Sequence, residues 1–148
     1  MELSLLDRLA ARESPLSSWE QMRELKASLC RDLTDLLNTR HSEQPLDPAY
    51  AEASSSLLTF GVPDFTVYDL ENTAEQEKLR CAIERAIRQF EPRLARVRVL
   101  LEKPDLLNPT LHFRIDAQLR DGVDRENVLF DATLERESRR IAISGADR

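Results

Sequence analysis

The sequence predicts an α+β domain in which N-terminal helices pack on a C-terminal, mostly antiparallel meander sheet. Three observations predict it. Two long segments, from about Ser18 to Leu37 and from Thr73 to Phe90, repeat apolar residues at helical spacing. After Pro92 the apolar period drops from about 3.6 residues to about 2. The alternating segments that follow are joined by short links, which makes successive strands antiparallel neighbours. Helices first and strands last is the α+β pattern.

Residues 2–10 read as a short amphipathic helix, with Leu3, Leu6, Leu9 and Ala10 on one side. Ser14-Pro15-Leu16-Ser17 breaks it. So short a helix is not stable alone and must dock on the body or on a partner. The next helix starts with a capping box, Ser17 with Glu20 or Ser18 with Gln21. Its apolar stripe is Met22, Leu25, Leu29, Leu33, Leu36 and Leu37, with Arg23, Glu24, Lys26, Arg31 and Asp32 mostly off it. Asn38-Thr39-Arg40 ends it. Residues 41–53 are polar, carry Pro45 and Pro48, and read as a loop. Ala53 to Leu58 reads as a short helix stopped by Gly61 and Pro63, and Thr66-Val67-Tyr68 as a short strand or an extended connector.

The helix from Thr73 opens on Thr73-Ala74-Glu75-Gln76, which has capping-box form. Leu79, Ile83, Ile87 and Phe90 line one face, and Ala82 and Ala86 beside them allow close approach to a sheet. The strands follow. Val97, Val99 and Leu101 alternate with Arg96, Arg98 and Leu100. Leu111 to Leu119 and Val128 to Leu134 alternate in the same way, and Ile141 and Ile143 close the set. The links are 103–109, Asp121-Gly122 and Glu137-Ser138. One sheet face is apolar, and three helices are expected to cover it.

The chain has 148 residues, 41% of them apolar and 32% charged, which fits one globular domain spanning 1–148, with 1–16 as a short helix and linker. A net charge of -6 with scattered basic residues disfavours nucleic-acid binding. No apolar run approaches the ~18–20 residues of a membrane span, and no signal peptide is visible, so a cytoplasmic protein without direct membrane insertion is expected. Cys30 and Cys81 lie in separate helices and read as buried thiols. With His41 and His112 they are too widely spaced for a zinc site, so no metal and no cofactor is expected. Three glycines leave no phosphate-cradling loop. Ser54-Ser55-Ser56 lacks a nucleophile elbow and reads as a helix cap. Arg98, His112 and Arg114 fall on the wet sheet face, where cross-strand charge pairs are the ordinary outcome.

The tripeptide Glu91-Pro92-Arg93 stands between the second long helix and the first strand. Proline cannot extend the helix and restrains the residue before it, so the acid and the base are held on a stiff corner. Three further segments accompany it in order: Leu3-Ser4-Leu5-Leu6-Asp7-Arg8-Leu9, Leu36-Leu37-Asn38-Thr39-Arg40, and Leu57-Leu58-Thr59-Phe60-Gly61-Val62-Pro63-Asp64. Over nearly its whole length the chain resembles the TssE family. These are small baseplate-wedge subunits of bacterial type VI secretion, related to a wedge protein of contractile phage tails once labelled lysozyme-like.

The resemblance implies a non-catalytic structural subunit that joins wedge subunits to the contractile sheath. It implies TssF and TssG as wedge partners, and the sheath proteins TssB and TssC. It assigns Glu91, Pro92 and Arg93 to docking on the wedge core; from its place on the corner, Arg93 is expected to be exposed. It also suggests that the last strand, Arg139, Arg140, Ile141, Ala142 and Ile143, offers an edge to extended sheath arms, with the two arginines guarding that edge. A second reading is a soluble regulatory adaptor, since a relative of this fold protects a stress sigma factor from proteolysis. That relative is not expected to need the Glu-Pro-Arg corner. A third reading, glycoside hydrolysis, needs two carboxylates across a cleft. Here Glu91 has a cationic neighbour, which is wrong for a general acid, and one Trp and two Tyr leave little for a sugar-stacking groove.

Overall fold

The computed structural model describes residues 17–41, 49, 52–53, 56–65, 68–69, 71–102, 110–120, 126–135 and 137–145. The expected helix over 2–10, residues Ser54, Ser55, Thr66 and Val67, and the links at 103–109 and 121–125 lie outside these. Helix α1 spans Ser18–Asn38, and a two-residue strand β1 follows at Arg40–His41. A 3-10 turn lies at Leu57–Thr59, and β2 at Val62–Pro63. Helix α2 spans Thr73–Phe90. Strands β3 (Leu94–Leu101), β4 (Thr110–Leu119), β5 (Asn127–Glu135) and β6 (Ile141–Gly145) complete the chain.

The first capping box forms as written. Ser17 Oγ accepts from the Glu20 N–H at 3.3 Å, and Glu20 Oε2 accepts from the Ser17 N–H at 2.9 Å. These bonds satisfy donors that the first helical turn leaves without intrahelical partners. The α1 stripe then buries Leu25, Leu29, Leu33, Leu36 and Leu37, together with one polar residue, Ser28. Full burial of each leucine stabilises the fold by about 1.5–3 kcal/mol. The start of α2 differs from expectation. Asn72 is the cap, its Oδ1 accepting from the Ala74 N–H at 2.9 Å, and Thr73 is the first helical residue. A short carboxamide caps at least as well as a threonine hydroxyl, so the helix is capped one residue earlier than expected.

The sheet is a meander in the order β3-β4-β5-β6, antiparallel throughout. Its inner face is Val97, Val99, Leu111, Phe113, Ile115, Ala117, Leu119, Val128, Phe130, Ala132, Leu134 and Ile141, all buried. Leu94 and Val97 both point inward although they are three apart. A bulge makes this possible: Arg96 and Val97 oppose the single residue Ala117, and Arg96 sits at φ 51°. The extra residue resets the alternation by one. Among the described residues two long helices cover this face.

The segment between the helices holds more order than its composition suggests. Ser56 accepts from the Leu58 N–H and caps the 3-10 turn, where a longer helix from Ala53 was expected. β1 and β2 pair in parallel, Arg40 with Val62 and His41 with Pro63. Gly61 makes this pairing possible. Its φ is 111°, and a β-carbon there would collide with the Thr39 carbonyl.

Candidate functional site: the corner and the two sheet edges

The Glu91-Pro92-Arg93 corner begins where α2 runs out. The Glu91 N–H still donates to Ile87 O at 2.9 Å, but Pro92 has no N–H with which to continue the ladder. The Leu94 N–H then donates back to Glu91 O at 3.1 Å, closing a turn into β3. The Arg120 N–H donates to Arg93 O at 2.8 Å and ties the corner to the end of β4.

Within this turn the side chains lock together. Arg93 Nε donates to Glu91 Oε1 at 2.7 Å, and Nη2 to Glu91 Oε2 at 2.6 Å. Nη2 also pairs with Asp32 Oδ2, and Nη1 donates to Ser28 Oγ at 3.3 Å. Four of the guanidinium's five N–H groups are used, which leaves one Nη1–H. The bond to Glu91 raises the pKa of Arg93, opposed by partial burial and reinforced by Asp32.

The expected exposure of Arg93 is corrected by this geometry. Its side chain is 15% exposed, and Glu91 is only 5% exposed. The pair is an internal latch joining the start of β3 to α1. What the corner shows to solvent is Pro92, which is exposed, and the Asp32 carboxylate, whose side chain is 36% exposed. Two carboxylates face one guanidinium, so the corner carries an excess negative charge.

Ser28 and Asp32 were not legible as part of this site. Both lie along the border of the α1 stripe, at i+3 and i+7 from Leu25. Two polar residues along that border signal a polar partner across the interface. The signal does not name that partner, 61 residues away in the case of Asp32.

The last strand is an edge strand, as expected, but it starts at Ile141. Arg139 and Arg140 are exposed and lie in the turn before it. Arg139 has φ 55°, donates its N–H to Glu135 O and accepts from Arg40 Nη2 at 3.1 Å. The two arginines therefore flank the turn and do not line the edge. Asn38 guards the edge. Its Nδ2 donates to Ile141 O at 2.8 Å, and its Oδ1 accepts from the Ile141 N–H at 2.9 Å. One carboxamide thus imitates a strand neighbour. Antiparallel main-chain groups alternate in direction residue by residue. With Ile141 facing outward, Ala142 faces β5, opposite Thr133, and Ile143 faces outward.

The opposite edge, β3, is guarded from α2. The Val99 N–H donates to Glu84 Oε1 at 2.9 Å, and Val97 O accepts from Arg88 Nη2 at 2.7 Å. Glu84 is 7% exposed and also pairs with Arg80 and Arg88. The corner opens β3 at one edge of the sheet, while β6 forms the other, so the two candidate regions are not brought together. Helix α1 reaches both, through Ser28 and Asp32 at one and Asn38 at the other.

The remaining candidates are ordinary in place. Arg114 pairs with Asp131 across the strands at 2.9 Å, and His112 is exposed beside Thr133. Cys30 and Cys81 are half-buried free thiols, less enclosed than expected, and burial pushes the Cys30 thiol pKa up. Among the described residues no group of three or more His, Cys, Asp and Glu is placed to hold a metal ion. Among the same residues, no helix is long and apolar enough to cross a membrane.

The described residues form a helix-covered meander whose corner is latched to α1. The family model described as baseplate wedge protein gp25 matches residues 23–123, well over half of the chain, and the chain belongs to that family. The match takes in α1 from residue 23 on, α2, the corner, β3 and β4. No curated protein matches it in sequence. Family membership gives the chain a structural role in a baseplate, in association with other baseplate components.

Proposed function

We propose that this chain is a non-catalytic subunit of a type VI secretion baseplate that joins the wedge to the contractile sheath. The observation that supports this reading best is the corner. Glu91 and Arg93 satisfy each other and pin α1 to β3, so the exposed Pro92 and the Asp32 carboxylate are held in fixed positions before any partner arrives. Prior ordering of this kind reduces the entropic cost of association. The excess negative charge suits an arginine from a wedge subunit, whose planar fork pairs well with a carboxylate. TssF and TssG are the partners proposed for this corner, and TssB and TssC for the edge of β6. The completeness of the corner favours the wedge reading over a regulatory adaptor.

The test is co-purification with TssF and TssG. Pro92→Ala and Asp32→Asn leave the Glu91–Arg93 pair in place, so both are expected to fold. Each is expected to reduce recovery of the wedge complex about tenfold, as loss of an interface anchor worth at least ~1.4 kcal/mol does. Full recovery with both variants would show that the corner is a fold element and not a docking surface.

A further inference from the structure

β3 holds one residue in a conformation that its type does not favour. At the bulge Arg96 sits at φ 51°, the left-handed region in which a bulge with such a first residue ordinarily carries glycine. A side chain there costs backbone strain, and strain of this sort collects where a protein holds a ligand or a moving part. The bulge also leaves Arg96 without a cross-strand partner, so its side chain is free of the ladder's alternation. Arg96 is exposed and lines an open groove of about 310 Å³ with Ala95, Gln118, Leu119 and Arg120.

The groove is basic and its arginines are uncommitted. Arg96, Arg98 and Arg120 are all exposed, and among the described residues no hydrogen bond or ion pair takes up their guanidinium groups. Asp116 stands opposite Arg98 in the register, yet the two form no ion pair. Arg114, by contrast, is paired with Asp131 at 2.9 Å. Glu126, whose carbonyl accepts the Leu119 N–H, turns its carboxylate to Lys26 at 3.9 Å. The frame around these cations is fixed. Gln118 Nε2 donates to Asn127 Oδ1 at 2.9 Å, and the Arg120 N–H donates to Arg93 O at 2.8 Å. A chain of net charge -6 thus gathers three uncommitted cations at one end of its sheet.

We infer that this groove is a docking site for an acidic segment of a partner polypeptide: Arg96 and Arg120 take one carboxylate between them, and Arg98 takes a second further along β3. A guanidinium presents a planar fork that matches a carboxylate. Arg96 and Arg98 are two residues apart, which along a strand spans about 6.6 Å. Same-face side chains of an extended segment repeat at the same interval, so acids at alternate positions of the partner fit the pair. A nucleic acid fits less well, because phosphate binding draws on many cations and the chain as a whole is acidic. The site uses neither the side chains of the corner nor the edge of β6, so it stands apart from the contacts proposed above.

Binding of fluorescein-labelled hexaglutamate to the full chain, read by anisotropy at about 0.05 M salt, tests it. The wild type is expected to bind. Arg96→Gly and Arg120→Ala are each expected to weaken binding about tenfold, as loss of one charge-assisted contact does. Arg140→Ala removes an equally exposed cation at the opposite end of the sheet and is expected to leave binding unchanged. Inorganic phosphate at equal charge is expected not to displace the peptide. Because glycine relieves the strain at the bulge, Arg96→Gly is expected to melt no more than about 2 °C below the wild type. A larger fall shows that the arginine serves the fold and overturns the inference. Absence of binding by the wild type overturns it too, as does an equal loss in Arg140→Ala, which makes the attraction one of charge at large. Displacement by phosphate makes the groove a small-anion site and overturns the polypeptide partner.

Discussion

Glu91 is 5% exposed and its carboxylate takes two guanidinium N–H donors and the backbone N–H of Arg93, so truncating the arginine leaves a buried charge without its cationic partner. Breaking a buried pair from one side costs about 3–5 kcal/mol, far more than the net worth of the pair itself. Arg93→Ala is therefore expected to lower stability by about 3 kcal/mol, at the low end because Asp32 and solvent share the site. Arg93→Lys should recover only part of this, since an ammonium cannot span Glu91, Asp32 and Ser28 as a planar fork does. Urea unfolding of the two variants beside the wild type measures both losses. A change under about 0.5 kcal/mol in Arg93→Ala, the size of an exposed pair, would place the guanidinium outside the fold's energetics. The tripeptide announced its own stiffness through Pro92. Its burial was not legible, because the groups that cover it come from α1.

Strands and helices were legible wherever one face of an element is buried and the other wet. β4 and β5 show this best: Leu111 to Leu119 and Val128 to Leu134 alternate without interruption, and every expected inward residue is buried. The bulge in β3 was hidden, since the three-residue Leu94–Val97 spacing breaks the strand period and matches the helical one. The direction of main-chain groups in β6 was also hidden, because it depends on pairing with β5 and on Asn38, 103 residues away. That direction decides how proline behaves in the last strand. Ala142 donates into the ladder with β5, so Ala142→Pro removes an internal bond and is expected to destabilise the domain measurably. Ile143 faces outward, so Ile143→Pro is expected to fold close to wild type, as proline on an outward edge position does. Thermal melts of the two variants give the order directly. A lower melting temperature for Ile143→Pro than for Ala142→Pro would reverse the assigned alternation.

At the scale of the whole molecule, the question is whether anything in the fold performs chemistry on a cell wall. Glycoside hydrolysis requires two carboxyl groups facing each other across about 5 to 9.5 Å of accessible cleft, one of them protonated near neutral pH. The two most buried acids fail on access and partners. Glu91 is bound to Arg93, and Glu84 accepts from the Val99 N–H while pairing with Arg80 and Arg88. A cleft runs between α2 and the β1–β2 pair, past His41, Tyr68, Glu77, Cys81 and Arg85. Glu77 is the acid among its described lining residues, and a hydrogen bond from Arg80 at 2.8 Å pulls its pKa below the ordinary value. A depressed carboxyl is a poor general acid, and among the described lining residues the cleft offers it no carboxylate partner. Both helices instead spend their polar side chains on the sheet: Asn38, Glu84 and Arg88 hold edges, and Ser28 and Asp32 hold the corner. The purified chain is therefore expected to leave a peptidoglycan suspension turbid over hours at any pH from acid to neutral. Clearing by the wild type that disappears in Glu77→Gln would show that the cleft is a catalytic site after all, and that the apparent absence of a second carboxylate there is mistaken.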